Sequence, residues 1–195
     1  HKVQVMLGMH ANFYHSWRGD TNDEAGFGTD IRIVRAIIEM LDTANAQGLD
    51  AKVYWDVENL FTLETILPEY APDIIEDMRR RIEQERDEVL LMSYSNTLLA
   101  AATEDEMRAA VEWSISNPWG SGVRDLFGDF VPILRPQEYT TTTGMGRVLA
   151  EEGVEGVILS YSGYPFNATA TFLPHLDIEQ RYGATWLRFE ENGPA

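Results

Sequence analysis

The sequence predicts an α/β fold built on a parallel sheet. Three observations predict it: short apolar runs suited to buried strands recur along the chain, amphipathic helical stretches separate them, and polar residues stand where most of the runs end. The first run, Val3-Gln4-Val5-Met6-Leu7-Gly8-Met9, ends in His10 and Asn12. A helix follows, capped by Thr29 or Asp30, with Ile33, Val34, Ile37, Ile38 and Leu41 at helical spacing and Gly48 as its stop. Ala51-Lys52-Val53-Tyr54-Trp55-Asp56 reads as the second strand. The stretch from Pro72 to Arg86 reads as the second helix, with Pro72 in its first turn and Ile74, Ile75, Met78 and Ile82 on one face. Next come the strand Val89-Leu90-Leu91-Met92-Ser93, a helix from about Glu104 to Ser116, and the strand Val131-Pro132-Ile133-Leu134. A helix ending at Glu152-Gly153, the strand Val157-Ile158-Leu159-Ser160 and a last candidate strand Trp186-Leu187-Arg188-Phe189 complete the series.

Six parallel strands covered by helices fit either a doubly wound sheet or a barrel. An eight-stranded barrel typically takes about 250 residues, more than the 195 present, so a closed barrel would need more chain. With 44% hydrophobic residues and no linker, repeat or low-complexity tract, residues 1–195 are expected to form one domain.

Charge narrows the partners. The net charge is −17, from 32 acidic against 15 basic residues, and only Lys2 and Lys52 are lysines. Such a surface repels phosphate backbones and anionic lipid, so neither nucleic acid nor a membrane is expected as a partner. The same composition suits a protein kept soluble in high salt. There are no cysteines, which removes disulfides, thiolate nucleophiles and cysteine metal sites. No apolar run approaches the roughly 20 residues of a membrane-spanning helix. The expected location is cytoplasmic, with a trimmed export signal as the alternative that His1 in place of Met leaves open.

In parallel α/β folds ligands bind beyond the carboxyl ends of the strands. Those ends supply His10-Ala11-Asn12, Asp56-Val57-Glu58-Asn59 after Trp55, Ser93-Tyr94-Ser95-Asn96, Pro136-Gln137-Glu138-Tyr139 and Ser160-Tyr161-Ser162-Gly163. Carboxylates and amides beside aromatic rings hydrogen-bond hydroxyls and stack on sugar faces, so the set reads as a carbohydrate site. His10, Asn12, Trp55, Asp56, Glu58, Tyr94, Asn96 and Tyr139 are its candidate binding residues. Any one Asn or Ser among them could instead cap the next helix, and Asp56 or Glu58 could cap the stretch that follows. Glu138, just past Ile133-Leu134-Arg135-Pro136, is the candidate catalytic residue, as nucleophile or general base; the plainer alternatives are an ion pair with Arg135 or an ordinary loop glutamate. His10, Asn12 and His15 form neither a two-histidine-plus-carboxylate set nor a His-Glu-x-x-His helix, so no metal is expected. Gly26-Phe27-Gly28 follows no strand and reads as a turn, so no nucleotide cofactor is expected either. Gly144, Gly146 and Gly153 read as turn and helix-end residues, and Asn167-Ala168-Thr169 matches the glycosylation pattern.

The order of these motifs resembles the N-terminal barrel of glycoside hydrolase families 57 and 38, closer to family 57, over most of the chain. In family 57 a first strand ends in His-x-His and a later strand ends in a Pro-x-Glu-like segment that carries the nucleophile. His10-Ala11-Asn12 stands in the first place here, and Arg135-Pro136-Gln137-Glu138-Tyr139 in the second. The resemblance implies an irregular (β/α)7-type barrel, incomplete at about six strands. It also implies retaining hydrolysis or transfer of α-glucan links on an oligo- or polysaccharide, with Glu138 as nucleophile. Asn12 departs from the second histidine of the motif. The family's general acid, an aspartate on a later strand, falls beyond this chain, so self-association or association with the rest of an enzyme is expected. A non-catalytic glycan-binding or assembly domain and a polysaccharide deacetylase are the alternatives.

Overall fold

The computed structural model describes residues 7–13 and 23–159. Among them five parallel strands alternate with helices: β1 Gly8–Ala11, α1 Gly28–Ala46, β2 Val53–Val57, α2 Leu67–Tyr70, α3 Pro72–Glu83, β3 Asp87–Leu90, α4 Glu104–Ile115, α5 Val123–Phe127, β4 Ile133–Leu134, α6 Met145–Glu151 and β5 Gly156–Val157. β1, β2 and β3 are neighbours in that order, and β4 pairs with β5. A parallel bridge between Leu91 and Leu134 joins the two sheets, with Leu91 N donating to Ile133 O and Arg135 N to Leu91 O, both at 2.9 Å. The strands therefore follow one another in chain order without the reversal of a doubly wound sheet. The candidate strand at residues 186–189 and the end of the run at Ser160 lie outside the described residues.

Alternation along the strands separates two faces. On β2, Val53, Trp55 and Val57 belong to the hydrophobic core, and Met9 and Ala11 of β1 join them. Gly8, His10, Tyr54 and Asp56 occupy the opposite face, because the register pairs Gly8 with Tyr54 and His10 with Asp56. The Tyr54 ring lies across Gly8, where a Cβ would come within 2.0 Å of it and displace it.

The helices cover the core face. α1 buries Ile31, Val34, Ile38 and Leu41, each contributing roughly 1.5–3 kcal/mol relative to exposure. Ile33, expected in that row, is 44% exposed, because it sits about 100° around the helix from Val34. Thr29 and Asp30 do not cap α1. The turn Glu24–Gly26 runs straight into the helix, and Phe27 occupies the cap position without a side-chain hydrogen bond. α3 is held by Ile74, Ile75 and Met78 and stops at Glu83, three residues short of Arg86. Thr103 and Glu106 form a reciprocal capping box at the start of α4. Residues 59–71 carried no predicted element, yet Asn59–Ile66 form a π-helical segment leading into α2.

A buried charge cluster locks the N-terminal ends of β2 and β3. Arg81 and Asp87 are both sealed from solvent and pair through Nε to Oδ2 at 2.7 Å and Nη2 to Oδ1 at 2.9 Å. Trp55 Nε1 and Val53 N also donate to Asp87, at 3.0 and 3.2 Å, and Asp42 takes the remaining face of Arg81.

Candidate functional site

At the opposite end of the sheet, Asp56 is 2% exposed and meets side chains from β1 and from the end of β4. His10 Nδ1 lies 2.5 Å from Oδ1, as the β1–β2 register dictates, and Arg135 Nε, just past β4, lies 3.2 Å from Oδ2. His10 Nδ1 also lies 3.4 Å from Arg135 Nη1, so it is the engaged ring nitrogen, and Nε2 has no partner among the described residues. Arg135 is fixed further by Tyr139. Its guanidinium carbon sits 4.4 Å from the ring centroid, and Nε is 3.2 Å from the phenol oxygen. Of the two plainer alternatives for Glu138, the ion pair with Arg135 does not form, because Arg135 is engaged by Asp56, and the exposed position matches the loop glutamate.

Asn12 and Asn96 clasp each other through both amides, at 2.7 and 3.0 Å, joining the ends of β1 and β3. The backbone that presents Asn96 is unusual. Ser95 and Asn96 both have φ of 56°, and after β4 the turn Gln137–Tyr139 repeats the arrangement, with Glu138 at 54° and Tyr139 at 53°. Left-handed backbone at a non-glycine residue costs on the order of 1–3 kcal/mol and concentrates at functional sites. These two turns follow adjacent strands and carry four of the candidate residues, Tyr94, Asn96, Glu138 and Tyr139, while Glu24, Ala25 and Glu85 have left-handed backbone elsewhere in the fold.

The structure thus brings His10, Asp56 and Tyr139 together around Arg135, and Asn12 to Asn96. Glu138 is exposed on the strained turn and makes no hydrogen bond or ion pair with the described residues. Glu58 behaves as the plainer alternative foresaw. It is fully buried and accepts from Phe61 N and Thr62 N at 2.9 and 3.0 Å, capping the π-helical segment. Burial pushes its carboxyl up from the usual range, and these backbone hydrogen bonds only partly oppose that. Trp55, also fully buried, serves Asp87 at the other end of the sheet. Tyr94 is 7% exposed, and its phenol donates to Glu64 at 3.1 Å. Burial first, and then the Glu64 carboxylate, push its pKa up to about 12. His15, Asn167 and residues 160–163 lie outside the described residues.

Arg135 carried no functional expectation from the sequence. The signal was an arginine at a strand end beside the glutamate, but its true partner is distant in sequence. Trp113, Trp119 and Glu64 were missed as well.

No protein-family model matches the chain, and no characterised protein matches it in sequence. The class the fold defines is a parallel α/β architecture shared with carbohydrate-active proteins. Among solved structures the chain is similar to a 4-alpha-glucanotransferase from Thermococcus litoralis, with a TM-score of 0.63 and 19% identity, covering 90% of this chain and 24% of that one. It is also similar to a CE4 family pseudoenzyme from Bacillus anthracis, with a TM-score of 0.50 and 13% identity, covering 81% of this chain and 44% of that one. At such identities the likeness is one of fold, and the chain spans less than half the length of either protein.

Proposed function

We propose that this chain carries the nucleophile of a carbohydrate-active enzyme that hydrolyses or transfers α-glucan links with retention, and that Glu138 is that nucleophile. The observation that carries the reading is the state of the carboxylates at the strand ends. Asp56 is held by His10 and Arg135 and Glu58 by backbone amides, whereas Glu138 is exposed and has no partner among the described residues, on the strained turn next to Tyr139. A carboxylate without a partner keeps both oxygens available for attack on a substrate. In the reaction a Glu138 oxygen bonds to the anomeric carbon as the bond to the leaving oxygen breaks, and that oxygen takes a proton from an acid. Water or a sugar hydroxyl then displaces Glu138 and returns the proton. His10 Nε2 and the Asn12–Asn96 pair are placed to bind sugar hydroxyls, while Asp56 and Arg135 hold His10 and Tyr139 in position. The acid must lie about 5–5.5 Å from the nucleophile; neither Asp56, engaged as it is, nor sealed Glu58 fills that role.

Fold likeness to a glucanotransferase and the family 57 resemblance of the two strand-end motifs support this reading, and an irregular seven-stranded barrel belongs to it. The tied state of Asp56 and Glu58 favours, as a second reading, a domain that grips glycans without cleaving them. A deacetylase has less support: among the described residues no group of three or more His, Asp or Glu side chains is placed to hold a metal.

The test is Glu138→Ala, assayed on an activated aryl α-glucoside and on maltooligosaccharides in the product of the complete reading frame. Turnover should fall by at least about a thousandfold, and azide should partly restore it by occupying the vacated place. Near-normal activity would end the nucleophile assignment. Unchanged glycan binding with no turnover in the unaltered protein would favour the second reading.

A further inference from the structure

Beside the strand-end site stands a group of rings that the nucleophile reading does not use. Trp119, in the loop between α4 and α5, stacks on Tyr94 with centroids 6.0 Å apart and planes 17° from parallel. Trp113 stands nearly perpendicular to both, 5.6 Å from Tyr94 at 84° and 5.3 Å from Trp119 at 87°. Tyr94 is buried, but Trp119 is 55% exposed and Trp113 39%. One face of the Trp119 indole is therefore taken by Tyr94 and the other meets solvent, with Trp113 as an upright wall beside it.

Two large rings held in water are costly to leave uncovered, and the loop that presents them is braced from several sides. Asn117 Oδ1 accepts from the backbone N–H groups of Trp119 and Ser121, both at 3.1 Å, and its amide nitrogen donates to Trp113 O at 2.8 Å. Asn59, sealed in the core, donates to Ser121 O at 2.8 Å. Glu64 accepts from both Tyr94 and Ser121, at 3.1 and 2.6 Å, tying the loop to the ring beneath it. A platform already rigid loses little entropy on binding. Its floor, Tyr94, is followed at once by Ser95 and by Asn96, which clasps Asn12 in the strand-end site, so the platform and that site are continuous through one strained turn.

The geometry points to Trp119 and Trp113 as a second sugar-binding subsite, which receives the apolar face of a pyranose unit farther along the oligosaccharide that Glu138 attacks. This rests on the glycan reading of the strand-end site and adds to it a preference for longer chains. A flat aromatic face open to solvent suits a neutral sugar, whose ring carbons stack on the indole while its hydroxyls stay in water. The net charge of −17 disfavours an anionic ligand.

The experiment is calorimetry and tryptophan fluorescence on the protein and its Trp119→Ala and Trp119→Tyr variants, titrated with α-1,4-linked oligosaccharides of two to seven units and with a β-1,4-linked series. Trp119→Ala should bind the longest chains roughly tenfold more weakly and disaccharides unchanged, while Trp119→Tyr keeps most of the affinity. Circular dichroism on each variant checks the fold, and Trp113→Ala offers an independent variant if Trp119→Ala proves misfolded. Equal affinity of wild type and Trp119→Ala at every length overturns the subsite and leaves the strand-end reading intact. Trp119-dependent binding of the β-linked series alone supports the subsite and sinks the α-glucan reading. No binding of either series overturns both. A sedimentation change in Trp119→Ala without a change in oligosaccharide binding makes the platform a contact between copies of the chain and overturns the proposal.

Discussion

The two ends of the sheet each bury an aspartate against an arginine and a nitrogen-bearing ring, yet they are built to opposite purposes. At the N-terminal ends Asp87 receives four hydrogen bonds, from Arg81 twice, Trp55 and Val53, and neither member of the ion pair touches solvent. At the C-terminal ends Asp56 is as deeply buried, but the His10 side chain is 36% exposed and that of Arg135 is 13%. The first aspartate spends its acceptors on closing the structure. The second leaves other faces of His10 and Arg135 open to solvent, which is what separates the proposed site from the lock.

Deleting one arginine at each end gives the largest contrast. Arg81→Met leaves Asp87 charged, buried and without its counter-ion, a loss of roughly 3–5 kcal/mol, or on the order of 10 °C in melting temperature for a chain of this size. Arg135→Met leaves His10 on Asp56 and a partly wetted pocket, so about 1–2 kcal/mol is expected, together with weaker oligosaccharide binding. Urea unfolding and calorimetry on both variants read the two effects. Equal stability losses, with binding unchanged in Arg135→Met, would erase the distinction between lock and site.

The lock and the site were unequally legible in the sequence. Strands β2 to β5 overlap the apolar runs that announced them, with β3 and β5 each ending three residues early, because the buried part of a parallel strand is largely apolar. Strand ends then located His10, Asp56, Asn96 and Glu138. What pairs with what was not legible, since Arg135 meets Asp56 only through the register of strands far apart in sequence. The strained turns were hidden too: Ser95-Asn96 and Glu138-Tyr139 contain no glycine to announce left-handed backbone. The π-helical segment after Glu58 lacks a 3.6-residue apolar period, and its glutamate cap is outside the usual Ser, Thr, Asp and Asn set.

Glu58 sits between the two behaviours, at the site end but serving the fold, and pH separates its roles. Its carboxyl is held above the usual range chiefly by burial, and Oε1 has no partner. A group whose folded pKa is raised favours the fold most below its unfolded value, near 4.3, and that contribution is lost as pH climbs through the folded value. Glu58→Gln keeps an oxygen for Phe61 N and Thr62 N but cannot ionise. Its melting temperature relative to the unaltered protein should therefore rise between about pH 4 and pH 7. A difference that stays constant across that range would show that ionisation of Glu58 does not matter to stability.

The smallest expected effect concerns neither end but the surface between them, where two terms oppose each other as salt is added. Arg108 and Arg147 link α4 to α6 through Glu104, Glu151 and Glu152, and Arg35 links α1 to α3 through Asp73. Salt weakens such exposed pairs, but each is worth only about 0–1 kcal/mol to begin with. Against them stands the mutual repulsion of a net charge of −17, with two lysines in the whole chain to offset it locally. Raising the ionic strength from 0.1 to 1 M shortens the screening length from about 10 to 3 Å, which removes repulsion between charges scattered over the whole surface while contact pairs within 4 Å keep part of their attraction. The repulsive term is therefore the one lost, and the melting temperature should rise by a few degrees, at about 2–4 °C per kcal/mol. The two buried aspartates are shielded from the added ions, so Arg81→Met should show the same slope as the unaltered protein. A flat or falling curve in potassium chloride would mean that the helix-linking pairs outweigh the repulsion, and a steeper slope in Arg81→Met would mean that the lock at the start of the strands is open to solvent.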